Sequence, residues 1–309
     1  MDGRRCRGPG ESGAVNHRGA ALAASALVFN AFVWGVSWWP FRELQSQGLH
    51  PLWSTALIYF FSLACVALVW RGGWRGFARH PQLWLLALAA GLTNVGFNWA
   101  VTVGDVVRVV LLFYLMPAWS VLLAWGLLGE KPTRTSLLRL ALAMAGVLIV
   151  LKSPGSPWPV PHSAADWLAL MGGLSFAATN VLLRKLAYTP SESRMMAMFG
   201  GGGVMATATA LLGMAWQVVP APVWSTSWSG VALGLAVAFL LSNMALQYGA
   251  ARLAASTTAL VMLTEILFAS LSAAALGAAE FSPRTLLGGS LIVLAAALAA
   301  LAPAPPPPK

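Results

Sequence analysis

Glu265 is the only charged residue between Ala254 and Ala279. It lies roughly eleven residues into this apolar stretch, or ~16 Å along a helix rising ~1.5 Å per residue, near the middle of a ~30 Å hydrocarbon core. A carboxyl at that depth costs a few kcal/mol and faces a cavity or a partner. The chemistry open to it is binding a substrate ammonium, titrating a coupled proton, or both. The structural alternative is a protonated carboxyl hydrogen-bonded between helices.

Other polar residues recur at helical spacing. Asn94, Asn98, Thr102 and Asp105 follow one another at i, i+4, i+8 and i+11, which sets them on one helix face. Such a stripe either lines a cavity or hydrogen-bonds neighbouring helices. Asn243 and Gln247 form a similar pair further on. Asn30, Trp34, Ser37 and Phe41 share a face, and Tyr114 and Trp119 flank Pro117. Aromatic faces in a cavity can hold a ring or an ammonium. Trp38 and Trp39 fit an interfacial belt better. The run Gly200–Gly203 removes side chains over a full turn, which suits close helix packing with some hinge character.

Catalytic and metal constellations are missing from the sequence. Cys6 and Cys65 stand in dissimilar surroundings, and no CxxC or Cys/His cluster exists. His17, His50, His80 and His162 are scattered near the ends of apolar runs and read as interfacial. There is no Gly-rich loop with lysine, no Ser/His/Asp set and no HExxH. The expectation is no enzyme, no cofactor and no metal.

The elements that must position these residues follow from composition. Of 309 residues 58% are apolar and 9% charged, against about 45–50% and about 25% in soluble domains. A soluble particle and a disordered chain are both excluded. Apolar runs of spanning length recur near 20–40, 52–70, 82–103, 107–129, 135–151, 165–187, 195–215, 228–248, 254–279 and 285–302. Ten spans predict an all-α integral membrane protein lying in the lipid bilayer. The first run is too long for a signal-peptide core and reads as a retained span.

Lysine and arginine number nineteen against nine acids. With the N-terminus in the cytoplasm, only Arg42, Arg108, Lys152 and Arg284 fall outside, leaving fifteen bases inside. That is the positive-inside bias, with both termini cytoplasmic. The basic charge is then a matter of topology, and no nucleic-acid partner is needed.

An internal repeat is visible. Asn98-Trp99-Ala100 with Gly104 resembles Asn243-Met244-Ala245 with Gly249, and Gly129-Glu130 resembles Ala279-Glu280. Five spans per copy is odd, so the second copy must be inverted, as in many secondary transporters. The expected division is a disordered basic tail at 1–18, a first five-helix repeat at 19–151 and a periplasmic linker at 152–164. A second repeat at 165–302 and a Pro-rich tail at 303–309 complete it.

In Trp34-Gly35-Val36-Ser37, Leu115-Met116-Pro117, Leu127 to Thr133 (LLGEKPT), Thr264 to Ala269 (TEILFA) and Ala279-Glu280, the chain resembles the drug/metabolite transporter superfamily in its EamA-type, ten-helix form. The resemblance covers nearly all of residues 20–302. The proline that often follows the acid in span nine is Ile266 here, and Tyr59 stands about where span two often has an arginine. The resemblance implies an exporter or exchanger of amino acids or related small metabolites in the bacterial inner membrane, a monomer or homodimer. Its partners would be a small-molecule substrate in the lipid bilayer, with either a proton gradient or a substrate gradient driving transport. The residues expected to bind substrate or couple protons are Glu265, Asn30, Trp34, Ser37, Asn94, Asn98, Tyr114 and Asn243. The competing class is a membrane receptor or assembly factor with no transport cycle.

Overall fold

The computed structural model describes residues 9–104, 106–152, 160–223, 225–278 and 283–302. Among these, all regular structure is helical. The helices are α1 (Pro9–Val36), α2 (Trp38–Ser46), α3 (Pro51–Val69), α4 (Arg75–Arg79), α5 (Leu83–Val103), α6 (Val106–Phe113) and α7 (Met116–Leu128). They continue as α8 (Arg134–Leu151), α9 (Ala164–Lys185), α10 (Ser191–Ala215), α11 (Ser229–Ala250), α12 (Ala255–Met262), α13 (Glu265–Ala275) and α14 (Pro283–Ala300). Ten spans of membrane-crossing length and hydropathy result. Three are broken: α1 with α2 forms span one, α6 with α7 span four, and α12 with α13 span nine.

Two of the breaks follow from proline. A proline ring clashes with the carbonyl four residues back and donates no hydrogen bond. Pro40 thus ends α1 at Val36, and Pro117 ends α6 at Phe113. Span nine breaks without one. There the Thr264 hydroxyl donates to the Val261 carbonyl at 2.8 Å, and the backbone tightens to i→i−3 bonds from Leu263 and Thr264.

Helix starts carry their own signals. His50 caps α3, its Nδ1 accepting from the Leu52 N–H at 3.2 Å, with Pro51 in the first turn. Thr133 with Ser136 and Ser163 with Asp166 form capping boxes on α8 and α9. The Gly200–Gly203 run packs against α3 and α5, and α10 passes through it unbroken.

The disordered tail expected at 1–18 can be compared with the structure only from residue 9 onward. Residues 1–8 lie outside the described residues, and α1 already begins at Pro9. Proline suits a first helical position, and extending an existing helix is cheaper than nucleating one. Most of the linker (153–159), the tail 303–309, Asp105 and the Ala279-Glu280 pair also lie outside the described residues, as does the side chain of Thr102.

Packing relates the two halves. Exchanging each span with the one five later maps the principal helix contacts onto one another: α1 on α11 pairs with α5 on α9, α3 on α11 with α5 on α10, and α1 on α13 with α7 on α9. The contacts of α3 on α10, α7 on α12 and α8 on α14 map onto themselves. Glycines permit the closest approaches. A Cβ at Gly35 would stand 2.6 Å from the Glu265 carbonyl oxygen, and one at Gly96 would stand 2.6 Å from Gly172 Cα.

Each end of the bundle is tied by its own hydrogen bonds. At one end Tyr188 donates to Gln82, Ser193 to the Gly73 carbonyl and Arg184 to the Ala251 carbonyl. At the other, Trp53 donates to the Pro220 carbonyl and Val223 N–H to the Gly48 carbonyl. The first end carries Arg71, Arg75, Arg79, Lys131, Arg134, Arg139, Arg184, Lys185, Arg194 and Arg252. The second carries Arg42, Arg108, Lys152 and Arg284.

Candidate functional site

The breaks in spans four and nine meet across a central cavity. Tyr114 sits at the gap between α6 and α7, and Glu265 opens α13. The Tyr114 hydroxyl is placed against the Glu265 carboxyl. Glu43, Asp166 and Glu192, the other acids within described spans, all lie within a turn of a span end, so Glu265 alone is deep.

Seven of the eight residues singled out by spacing line this cavity: Asn30, Trp34, Asn94, Asn98, Tyr114, Asn243 and Glu265. Ser37 does not. It stands in the break between α1 and α2, where its hydroxyl donates to the Trp34 carbonyl at 2.7 Å. A continuous helix would have put Ser37 on the Asn30 face, but Pro40 turns the chain first.

The asparagines both line and fasten. Asn30 donates to the Ser242 carbonyl at 2.9 Å, tying span one to span eight. Asn94 donates to the Ala90 carbonyl at 2.9 Å within its own helix, and Asn98 donates to the Thr55 hydroxyl at 3.4 Å. Asn243 accepts from Gln247 at 2.8 Å, and Gln247 in turn accepts from Arg194 Nε at 3.2 Å. A polar chain thus leads from the cavity wall toward the base-rich end.

Spacing did not single out the aromatic wall. Tyr59, Phe97, Phe113, Phe176, Phe199 and Phe239 join Trp34 and Tyr114 around the cavity. Trp34 and Phe239 meet edge to face at 4.5 Å between centroids, Phe97 and Phe113 at 4.9 Å, and Tyr59 and Phe199 at 5.5 Å. Edge-to-face pairs direct some ring faces away from each other, and a ring face attracts a cation.

The space is small. About 90 Å³ is open to the centre of a water-sized sphere. At roughly 10–15 Å³ per water on that measure, it holds about six to nine non-hydrogen atoms. No lysine, arginine or histidine lines it, so Glu265 is its sole ionisable carboxyl and no base neutralises it there. No group of three or more metal-binding side chains occurs among the described residues.

Beyond the cavity, toward the base-rich end, several buried polar atoms have no hydrogen-bond partner: both amide atoms of Asn180, the Ser120 and Thr258 hydroxyls and Trp119 Nε1. They belong to spans six, nine and four, which pack together through Ala124, Val181 and Ala255. A buried amide left unpaired costs about 1–3 kcal/mol.

The fold and the cavity define a class: a multi-pass, all-helical membrane protein with one acid held at mid-depth between its two halves. Residues 21–152 match the EamA-like transporter family, the family that the motifs resemble. Two curated relatives are both called Protein RarD. The one from Streptomyces exfoliatus is 29% identical over 177 residues, covering 53% of this chain and 52% of the relative. The one from Salmonella typhi is 28% identical over 177 residues, covering 55% and 56%. The chain thus spans about half the length of the curated relatives it matches. A solved crystal structure, 20% identical, superposes with a TM-score of 0.69 over 90% of this chain and 96% of the other. At that identity the likeness is one of fold.

Proposed function

We propose that the protein is a secondary carrier, not an enzyme, that moves small organic metabolites across the bacterial inner membrane by alternating access. The observation that carries this reading is the convergence of two broken spans, four and nine, on a cavity holding the one deep acid. Broken helices facing a mid-membrane site from repeat-related positions are the arrangement of inverted-repeat carriers. The self-mapping helix contacts support two inverted five-helix repeats. The excess of bases at one end supports a cytoplasmic placement of that end, with both termini there.

Substrate class follows from chemistry. A lone carboxyl ringed by aromatic faces favours a cation, and the volume suits a molecule the size of an amino acid. The leading reading is therefore export of amino acids with small apolar side chains, coupled to protons at Glu265. Asn30, Trp34, Asn94, Asn98, Tyr114 and Asn243 would shape the site. Ser37 would act through the position of Trp34.

Proteoliposomes preloaded with a panel of amino acids and related amines test this. The expected result is counterflow of at least one ammonium-bearing compound. Counterflow of none would favour a receptor or assembly factor without a transport cycle.

A further inference from the structure

A second cavity opens at the base-rich end and shares no lining residue with the central one. Its volume is about 1020 Å³. It lies between the end of α7, the start of α8, the end of α9 and the start of α12. Three cations, Lys131, Arg139 and Lys185, line it from three different segments. None of them forms an ion pair among the described residues. The single acid on its wall, Glu130, lies 3.7 Å from the Arg184 guanidinium and so is already engaged. The wall therefore presents an unbalanced positive charge, with the hydroxyls of Ser256 and Thr257 beside it.

The remaining wall is apolar. Val121, Leu127 and Leu128 descend from the charged rim along α7, and Leu127 is half exposed. Leu137 and Leu138, at the outward face of α8 beside Ser136, are exposed as well. A water-facing protein would not keep such a leucine flank bare, whereas acyl chains cover it. Cations and hydroxyls at the rim of an apolar groove match a phosphate ester attached to hydrocarbon. Basic pockets between spans at this level bind anionic head groups.

We infer that this groove is a binding site for an anionic phospholipid, its phosphate held by Lys131, Arg139 and Lys185 and its chains laid along Val121, Leu127 and Leu128. The site is independent of the transport reading, since neither its residues nor its ligand enter the central cavity. It differs from the general attraction of a basic face for acidic lipid in being built. Arg71, Arg75 and Arg79 supply the same charge at the same end, but none of them lines the groove.

That difference sets the test. The full chain, purified in neutral detergent, is titrated with phosphatidylglycerol or phosphatidylcholine, and retained lipid is counted by native mass spectrometry. The expected result is a preference for phosphatidylglycerol of tenfold or more. Each groove base replaced by glutamine should weaken it about fivefold, and the K131Q/R139Q/K185Q variant should abolish it. R71Q/R75Q/R79Q should stay within about twofold of the wild type. Should the triple variant not fold, as read by its thermal midpoint in phosphatidylcholine, K185Q on its exposed side chain carries the test alone. Equal losses in both triple variants would overturn the proposal. So would no lipid preference in the wild type, or saturation of the groove by glycerol phosphate alone, which would make a soluble ester its occupant.

Discussion

His50 shows how a single residue can make the fold sensitive to pH. Its Nδ1 accepts the Leu52 N–H and caps α3, which only the neutral ring can do. Burial holds its pKa below the ordinary value of 6.5. The folded state then binds fewer protons than the unfolded one, so stability is full above pH 6.5 and is lost as pH falls below it. His50→Asn keeps a capping acceptor and should flatten the thermal midpoint between pH 7 and pH 5. His50→Ala should cost about 1 kcal/mol of stability at pH 7.5, read as a lower thermal midpoint. An unchanged midpoint in the alanine variant would remove the cap from the account. Asn180 poses the opposite case, a fully buried amide with neither atom paired. Leucine has the same branched shape without the polar cost, so Asn180→Leu should keep or raise stability, by up to about 1–3 kcal/mol, read as an equal or higher thermal midpoint. A comparable fall would mean that the amide is bonded in the folded protein.

At the scale of the elements, close approach decides where Glu265 sits. Gly35 lets α1 lie against the first turn of α13, with a would-be Cβ 2.7 Å from that of Phe268. Gly35→Val forces these helices apart and should destabilise the protein by about 1–3 kcal/mol, read as a lower thermal midpoint in detergent. A wild-type midpoint would show that the contact is looser than described. The same elements show what the sequence made legible. Ten spans and the deep acid were readable because apolar length and an isolated carboxylate are strong signals. The prolines marked two of the breaks, but reading Asn30 to Phe41 as one helix face ignored Pro40 and put Ser37 on the cavity. The break in span nine was not readable, since a threonine hydroxyl bonding its own helix looks like any other threonine. The phenylalanines of the cavity wall were missed for a similar reason. In an apolar span, Phe113, Phe176, Phe199 and Phe239 look like packing until the helices are assembled.

The two halves of the molecule make matching principal helix contacts, and the central cavity lies between them. In the proposed carrier, an odd number of spans per half sets the copies in opposite senses across the membrane. That reading expects two arrangements of similar energy, open to either side. Glu265 breaks the equivalence. Its counterpart at the start of α7 is Met116, so the charge belongs to one half alone. On the proposed carrier reading, a charge at mid-depth with no base beside it is met by substrate or by a proton in each cycle. The direct test is efflux from proteoliposomes between pH 5.5 and pH 8, with wild-type protein and Glu265→Gln, once a counterflow substrate is in hand. The account predicts that the variant folds with a normal thermal midpoint but loses transport or its pH dependence. A variant that transports at the wild-type rate with the wild-type pH profile would contradict it.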